Sequence, residues 1–164
     1  MIGTDSYFLA ISTDVCANLV IVCGGIVMLP KSKKKAQRAG VVVLRQFPSG
    51  YKLLGLRYYG SYDLPKGAVE PFENIFAAAI RETEEESGIT DLDFKWGMIT
   101  TQARHVTLYI AATNEDPILR PNPETGEYEH HGAKWLSLKQ ASQKLHPYLR
   151  PVVRWVREVI KATS

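Results

Sequence analysis

The stretch from Glu73 to Ser87 reads ENIFAAAIRETEEES and runs directly into Gly88-Ile89. Wound as an α-helix, it brings Glu82, Glu85 and Glu86 (i, i+3 and i+4) onto one face. Phe76, Ile80, Thr83 and Ser87 fall about a quarter to a third of a turn away and make an apolar seam. Ala78 and Ala79 lie near the carboxylate face, where small side chains let a loop or ligand come close. Gly88 followed by the apolar Ile89 is the signature of a left-handed C-terminal cap. A helix with one interior face and one acidic face needs a layer to bury its seam against.

The rest of the chain offers that layer. Val41-Val42-Val43-Leu44 reads as a buried strand, Phe47-Pro48-Ser49-Gly50 as a turn, and Lys52-Leu53-Leu54-Gly55-Leu56 as the hairpin partner. Tyr58 to Asp63 is a polar, aromatic loop, and Leu64-Pro65-Lys66-Gly67 opens an irregular loop ending near Pro71. Leu92 to Thr101 and Val106 to Thr113 are further strand candidates. A long loop rich in Pro, Asn, Glu and Gly covers 114–131, ahead of a short strand from Ala133 to Leu136. Ser137 reads as the N-cap of a helix through Leu145, and a last helix starts at Pro147 or Pro151 and ends at Ile160. Strands, helix, strands, helices in that order predict a mixed sheet between helices, α+β or layered α/β, in one domain.

Composition narrows the class. At 164 residues and 45% hydrophobic the chain can bury one real core, which excludes a disordered chain. A net charge of +3 gives no ground for a nucleic-acid partner. Cys16 and Cys23, without a His pair beside them, make neither a disulfide framework nor a four-ligand zinc site, which predicts a reducing, cytoplasmic setting. Residues 1–37 read as an N-terminal extension to a functional domain at 38–164. Within it, Val15 to Leu29 is apolar and precedes Pro30 and a lysine run. The stretch is short of the ~20 residues that span a bilayer, and Asp5 and Asp14 stand where a signal peptide is basic. A flexible tail, an extra strand, or a start at Met28 with the preceding residues foreign to the domain are the readings ahead of membrane anchoring.

Three carboxylates on adjacent helical turns repel one another. A solvated acidic face is one reading of such a run. The other is a hard divalent cation, and it gains from Arg81 beside the cluster and from the Gly-, Pro- and Lys-containing loop ahead of the helix. Oxygen ligands in this number suit Mg²⁺ held together with substrate phosphates.

The spacing Gly67-x5-Glu73-x7-Arg81-Glu82-Thr83-x-Glu85-Glu86-x-Gly88-Ile89 resembles the signature box of the Nudix hydrolases, with Thr83 where an aliphatic residue is usual. The resemblance runs from about Arg38 to Ile160. It implies an α+β Nudix fold, a mixed sheet sandwiched between helices in α/β/α layers. It implies an enzyme, a pyrophosphohydrolase that opens a nucleoside diphosphate linked to another moiety by water attack on phosphorus. Glu82, Glu85, Glu86, the backbone carbonyl at Lys66 or Gly67, and Glu129 in the later loop would then hold Mg²⁺ or Mn²⁺. Glu82 is the first choice of general base, with a downstream Glu as the alternative. Arg81 would hold the carboxylates in place, and Glu73 would tie the loop to the helix through Arg81.

Within the family, Tyr62-Asp63-Leu64-Pro65-Lys66-Gly67 resembles the Trp-x-x-Pro-Lys-Gly lead-in of the asymmetric dinucleoside tetraphosphate hydrolases, with Tyr62 in place of tryptophan. That implies cleavage of diadenosine tetraphosphate to ATP and AMP. Lys66, with Arg57 or Arg45, would neutralise outer phosphates, Tyr62 would contact the substrate, and Tyr109, Tyr128, Tyr58 or Tyr59 would offer adenine a platform. Arg104-His105-Val106-Thr107-Leu108-Tyr109 resembles the diphosphoinositol polyphosphate phosphohydrolases, where Lys66, Arg104 and His105 would meet an anionic ring. A nucleoside or pterin triphosphate pyrophosphohydrolase, an RNA 5′-end pyrophosphohydrolase and a non-catalytic nucleotide-sensing module complete the alternatives. The expected partner is a small nucleotide or polyphosphate, with no nucleic acid or membrane, and the chain a monomer or homodimer. His130, His131, His105 and His146 read as surface histidines. On a strand, at most one of the adjacent pair His130-His131 faces a given site.

Overall fold

The computed structural model describes residues 36–122 and 125–163, and the backbone of 19–22 and 25–28. The chain divides into two compact units, Met1–Lys34 and Lys35–Ser164. In the first, β1 (Leu19–Val22) and β2 (Gly25–Met28) pair antiparallel, with Leu19 opposite Met28 and Val22 opposite Gly25. Cys16 and Cys23 lie outside the described residues. Among the described residues no helix is long and apolar enough to cross a membrane.

The second unit is organised by β3 (Arg38–Phe47), whose central run Val41-Val42-Val43-Leu44 has no exposed surface. A strand buried on both faces needs a layer on each, and the period-2 alternation sorts its side chains between them. Ala39, Val41 and Val43 pack with Leu54, Leu56, Ala78, Ala79 and Ile89 on the side of helix α1 (Ile75–Ser87). Val42 and Leu44 pack on the other side with Leu145, Leu149, Val152, Val153 and Val156, from helix α3 (Arg150–Ala162) and the segment before it. The architecture is α+β, with helices on both faces of a mixed sheet.

The sheet splits at the place that matters for the site. The partner β4 (Gly50–Tyr58) pairs with β3 only where Leu44–Phe47 face Gly50–Leu53. Beyond that the two strands part, and the segment after the Tyr59-Gly60 turn fills the gap. There β5 (Ser61–Asp63) pairs with β4, and β6 (Lys66–Ala68) pairs with β3. The polar, aromatic loop read over Tyr58–Asp63 and the irregular loop read from Leu64 thus each contain a three-residue strand, the two joined at Leu64-Pro65. On its other edge β3 runs parallel to β8 (Val106–Ala112), which pairs in turn with β7 (Thr100–Ala103). β9 (Ala133–Ser137) closes the far edge of β4.

Local chemistry sets the ends of the helices. The Asn74 side chain caps α1, accepting from the Phe76 and Ala77 amides at 2.8 and 3.4 Å, and Gly88 closes it at φ 71°. Ser137 and Gln140 form a reciprocal capping box on α2 (Leu138–Lys144), and a 3-10 turn at Pro147–Leu149 leads into α3.

Two expectations are corrected. Of the strand read over Leu92–Thr101, only Thr100 and Thr101 are in a strand, because a turn closed by the Gly97 amide on Phe94 O (2.8 Å), with Gly97 at φ 85°, interrupts it. Ala78 and Ala79 do not face a ligand; both are buried in the core, where their small side chains let α1 lie close to β3.

Candidate active site

Glu82, Glu85 and Glu86 stand on one side of α1 beside the β6 strand, and a single guanidinium organises most of the cluster. Arg81 uses all five of its N–H donors. Nε and Nη2 form a fork on Glu73 at 2.8 and 2.9 Å; Nη1 reaches Glu82 at 2.8 Å and Glu85 at 3.1 Å; Nη2 also reaches the Ala68 carbonyl at 3.0 Å. The Glu70 amide donates to Glu73 as well, at 2.9 Å. With Arg81 as the main cause, Glu73 is held down at about 2. The fork ties the loop ahead of α1 to the helix.

Burial acts in the opposite sense on Glu82. Desolvation raises its pKa against the pull of Arg81, and the neighbouring charges of Glu86 and Glu85 raise it further. Its carboxylate lies flat on the backbone at Gly67: a Cβ there would come within 1.8 Å of Glu82 Oε2. Glu86 accepts from the Lys66 amide at 3.0 Å. The sheet split therefore serves the site directly, since β6 presents Lys66 and Gly67 edge-on to two of the three glutamates.

The long loop after β8 delivers the opposing wall. Its start is pinned by Glu115, which accepts from the Thr90 and Asp91 amides at 2.7 and 3.0 Å, and by the Ile118 amide donating to Ser87 O at the end of α1 at 2.8 Å. Those two amide bonds lower the Glu115 pKa. Its end is zipped to β4 through Arg57 N to Gly132 O (2.7 Å) and His131 N to Arg57 O (3.0 Å). Between these anchors Arg120, Asn122, Glu129 and His130 line a pocket together with the three glutamates. Asn122 donates to Glu129 at 3.2 Å.

His130 is where the sequence reading fails. Instead of lying on the surface it is 7% exposed, with Nε2 3.3 Å from Glu86 Oε2. His131 is exposed, so the alternation expected of the pair holds while the surface assignment holds for one member only. The signal was the pair itself: adjacent residues zipped onto a strand edge must send one side chain inward.

The glutamate pocket is continuous with a wider groove that shares Glu86, Glu129 and His130 with it. Arg38 and Lys66 line this groove, as do Tyr58, Tyr59, Tyr128 and Tyr148. The Lys66 side chain is buried and its ammonium pairs with Asp63 at 2.5 Å, while Arg38 donates to Lys66 O at 3.3 Å. Tyr148, half-buried and near Asp63, has its hydroxyl pushed up to about 12, burial being the larger cause. The Arg104 guanidinium lies 5.0 Å over the Tyr148 ring.

Other expected contacts fall elsewhere. Tyr62 packs on the α3-side core, and Tyr109 packs edge-on to Phe76 at 5.0 Å on the α1 side. Arg57 is exposed and lines neither cavity, nor does His105, in the β7–β8 turn. Arg45 is engaged by Asp116 and lies over Phe47 and Trp135. Thr83 keeps its aliphatic-type position by turning its hydroxyl back to Ala79 O at 2.7 Å, so no polar group enters the core unsatisfied.

The donor set fits a divalent cation. Beyond Arg81, whose donors Glu73 shares, the cluster's carboxylates have no strong positive partner among the described residues. Glu82, Glu85, Glu86 and Glu129 could serve as oxygen ligands, with Glu82 lying against the Gly67 backbone and Glu86 on the Lys66 amide. Glu86, Glu129 and His130 each offer a donor atom, all within 4.8 Å of one another.

A mixed sheet between helices, with the box arginine and glutamates gathered beside the strand that holds its glycine, defines the class: the NUDIX domain pattern matches residues 25–156, and the chain belongs to that family. It is 32% identical over 116 residues to the bis(5′-nucleosyl)-tetraphosphatase (asymmetrical) of Caenorhabditis elegans, covering 63% of this chain and 80% of that protein. Among solved structures it is similar to a C. elegans Ap4A hydrolase binary complex, with TM-score 0.63 and 26% identity over 77% of this chain and 99% of the other. The E. coli dihydroneopterin triphosphate pyrophosphohydrolase shares the fold, with TM-score 0.54 and 18% identity over 72% of this chain and 92% of the other.

Proposed function

We propose that this chain is a divalent-cation-dependent hydrolase of dinucleoside polyphosphates, splitting diadenosine tetraphosphate into ATP and AMP. The observation that carries the reading is the continuity of the glutamate pocket with a groove bearing both basic and aromatic side chains. A substrate with a polyanionic centre and two flat bases uses all three kinds of wall. The similarity to the C. elegans tetraphosphatase supports the same choice.

Mg²⁺ or Mn²⁺ bound by Glu82, Glu85, Glu86 and Glu129 would spread the charge of the phosphoanhydride and acidify water. The chain's own residues do the rest. Glu82, with its raised pKa, is suited to accept the proton of the attacking water at a carboxylate oxygen. Arg81 positions Glu82 and Glu85, and Glu73 positions Arg81. Arg38 and Lys66 orient phosphates along the groove, and Tyr58, Tyr59 or Tyr128 offers a ring face to adenine. The diphosphoinositol reading has weaker support, because His105 lies outside the groove that Lys66 lines.

The test is product analysis with diadenosine tetraphosphate, diphosphoinositol phosphates, nucleoside triphosphates and capped RNA under Mg²⁺ and under Mn²⁺. Release of ATP with AMP from the first, at the highest kcat/KM of the set, is expected. Preferred turnover of another member would replace the substrate assignment, and binding without product under any divalent metal would favour a sensing module.

A further inference from the structure

We propose that His130 supplies a nitrogen donor to a cation position shared with Glu86 and Glu129, and that this position takes a transition ion such as Mn²⁺, Co²⁺ or Zn²⁺ in preference to Mg²⁺. The proposal rests on the cation-dependent reading of the same pocket and adds a ligand of a different chemical kind to it.

A buried imidazole is costly unless its nitrogens are paired. His130 is 7% exposed, yet neither Nδ1 nor Nε2 has a hydrogen-bond partner among the described residues. Nε2 is 3.3 Å from Glu86 Oε2, but not in hydrogen-bonding alignment, so the contact leaves both nitrogens unsatisfied. The ring is held there by the Tyr58 ring, edge-on at 6.2 Å, and by the backbone zipper of its neighbour His131 onto Arg57. The fold thus holds an unpaired nitrogen against two carboxylates.

The spacing suits one shared ion. Donors about 2 Å from a single ion lie about 3 to 4 Å from each other. The Nε2 to Oε2 separation of 3.3 Å is inside that range, and the third donor, on Glu129, lies within 4.8 Å of both. Glu129 is exposed and closes the remainder by a side-chain rotation. Oxygen-only sites suit Mg²⁺, whereas an imidazole ligand shifts affinity toward the first-row transition ions. The pocket would then have two unlike halves: oxygen donors at Glu82 and Glu85, and a mixed nitrogen and oxygen set at Glu86, Glu129 and His130.

Electron spin-echo modulation of Mn²⁺ bound to the full chain tests this. The expected result is a ¹⁴N coupling in the wild type that changes when the protein carries ¹⁵N-histidine. It persists in His105→Asn, His131→Asn and His146→Asn, the other three of the four histidines, and disappears in His130→Asn. In the last variant Mn²⁺ affinity falls about tenfold or more, with Mg²⁺ affinity changed less than about twofold. Should His130→Asn fail to fold, the labelled wild type and the other three variants still decide the matter. Bound Mn²⁺ without nitrogen coupling, or coupling lost in one of those three, overturns the ligand and leaves the proposed function standing. Equal loss of Mn²⁺ and Mg²⁺ affinity overturns the preference, and no binding of either ion overturns both readings.

Discussion

Replacing Gly67 by alanine separates the fold from the chemistry in a single methyl group. The added Cβ would sit 1.8 Å from Glu82 Oε2, 1.9 Å from its Cδ and 2.2 Å from Oε1, where ordinary contact begins at 3.4 Å. All three atoms belong to the end of a flexible side chain, so the backbone stays and the carboxylate retreats by about 1.5 Å. The fold loses chiefly the bond from Arg81 Nη1 to Glu82, at 2.8 Å. Such a charge-assisted bond contributes about 1.5–3 kcal/mol at most. Arg81 keeps Glu73, Glu85 and Ala68, which brings the expected loss to about 1 kcal/mol, or a Tm drop of about 2–8 °C. Catalysis loses far more, since displacing a reacting group by about 1 Å costs about 10² in rate. Thermal melting and kcat with diadenosine tetraphosphate under Mg²⁺ measure the two effects on one preparation. A variant that melts a few degrees low yet turns over within about threefold of the wild type would refute the claim that the Glu82 carboxylate acts where it lies.

Three further outcomes follow from the same structure. Phe72 is fully exposed at φ 66°, so Phe72→Gly removes about 1–2 kcal/mol of left-handed strain against about 0.5–1 kcal/mol of added chain entropy, and Tm should rise; a lower Tm would show that the ring makes a contact worth more than its strain. Glu73, held at about 2 against an ordinary 4.5, stabilises the fold fully above pH about 4.5 and progressively less as pH falls toward about 2. Urea midpoints across that window should drop steeply in the wild type and less steeply in Glu73→Gln, and parallel curves would contradict the Arg81 fork. Ser137→Ala opens the capping box on α2 and should cost about 1 kcal/mol in urea unfolding with kcat unchanged, while no change in midpoint would mean the cap carries no stability.

The sequence was most legible where local chemistry decides structure. The hairpin around Pro48-Ser49, the α1 cap at Gly88 and the Ser137 cap all depend on residues within a few positions of each other, and each lies where its own residues predict. The Arg81–Glu73 fork was suggested by the resemblance to the family's signature box alone, since the spacing of the two residues does not by itself pair a loop acid with that arginine. Illegible were the features that need tertiary partners. Ala78 and Ala79 share a helix side with Glu82, and periodicity cannot say that this side lies under β3. Tyr109 was expected as a platform and Tyr62 as a substrate contact, but their strands turn both into the packed faces of the sheet. His130 depends on a loop anchored at Ser87 and Arg57, residues far from it in the chain, so only the inward turn of one histidine of the pair was available in advance.

The central claim is that the glutamates of α1 gather a divalent cation to open a phosphoanhydride. Release of ATP and AMP from diadenosine tetraphosphate by Glu82→Gln and Glu86→Gln, measured against the wild type across a Mg²⁺ titration with melting curves in parallel, tests it most directly. Turnover is expected to fall by about 10²–10⁴ in both variants, with melting within a few degrees of the wild type. Wild-type rates and Mg²⁺ dependence in both folded variants would contradict it.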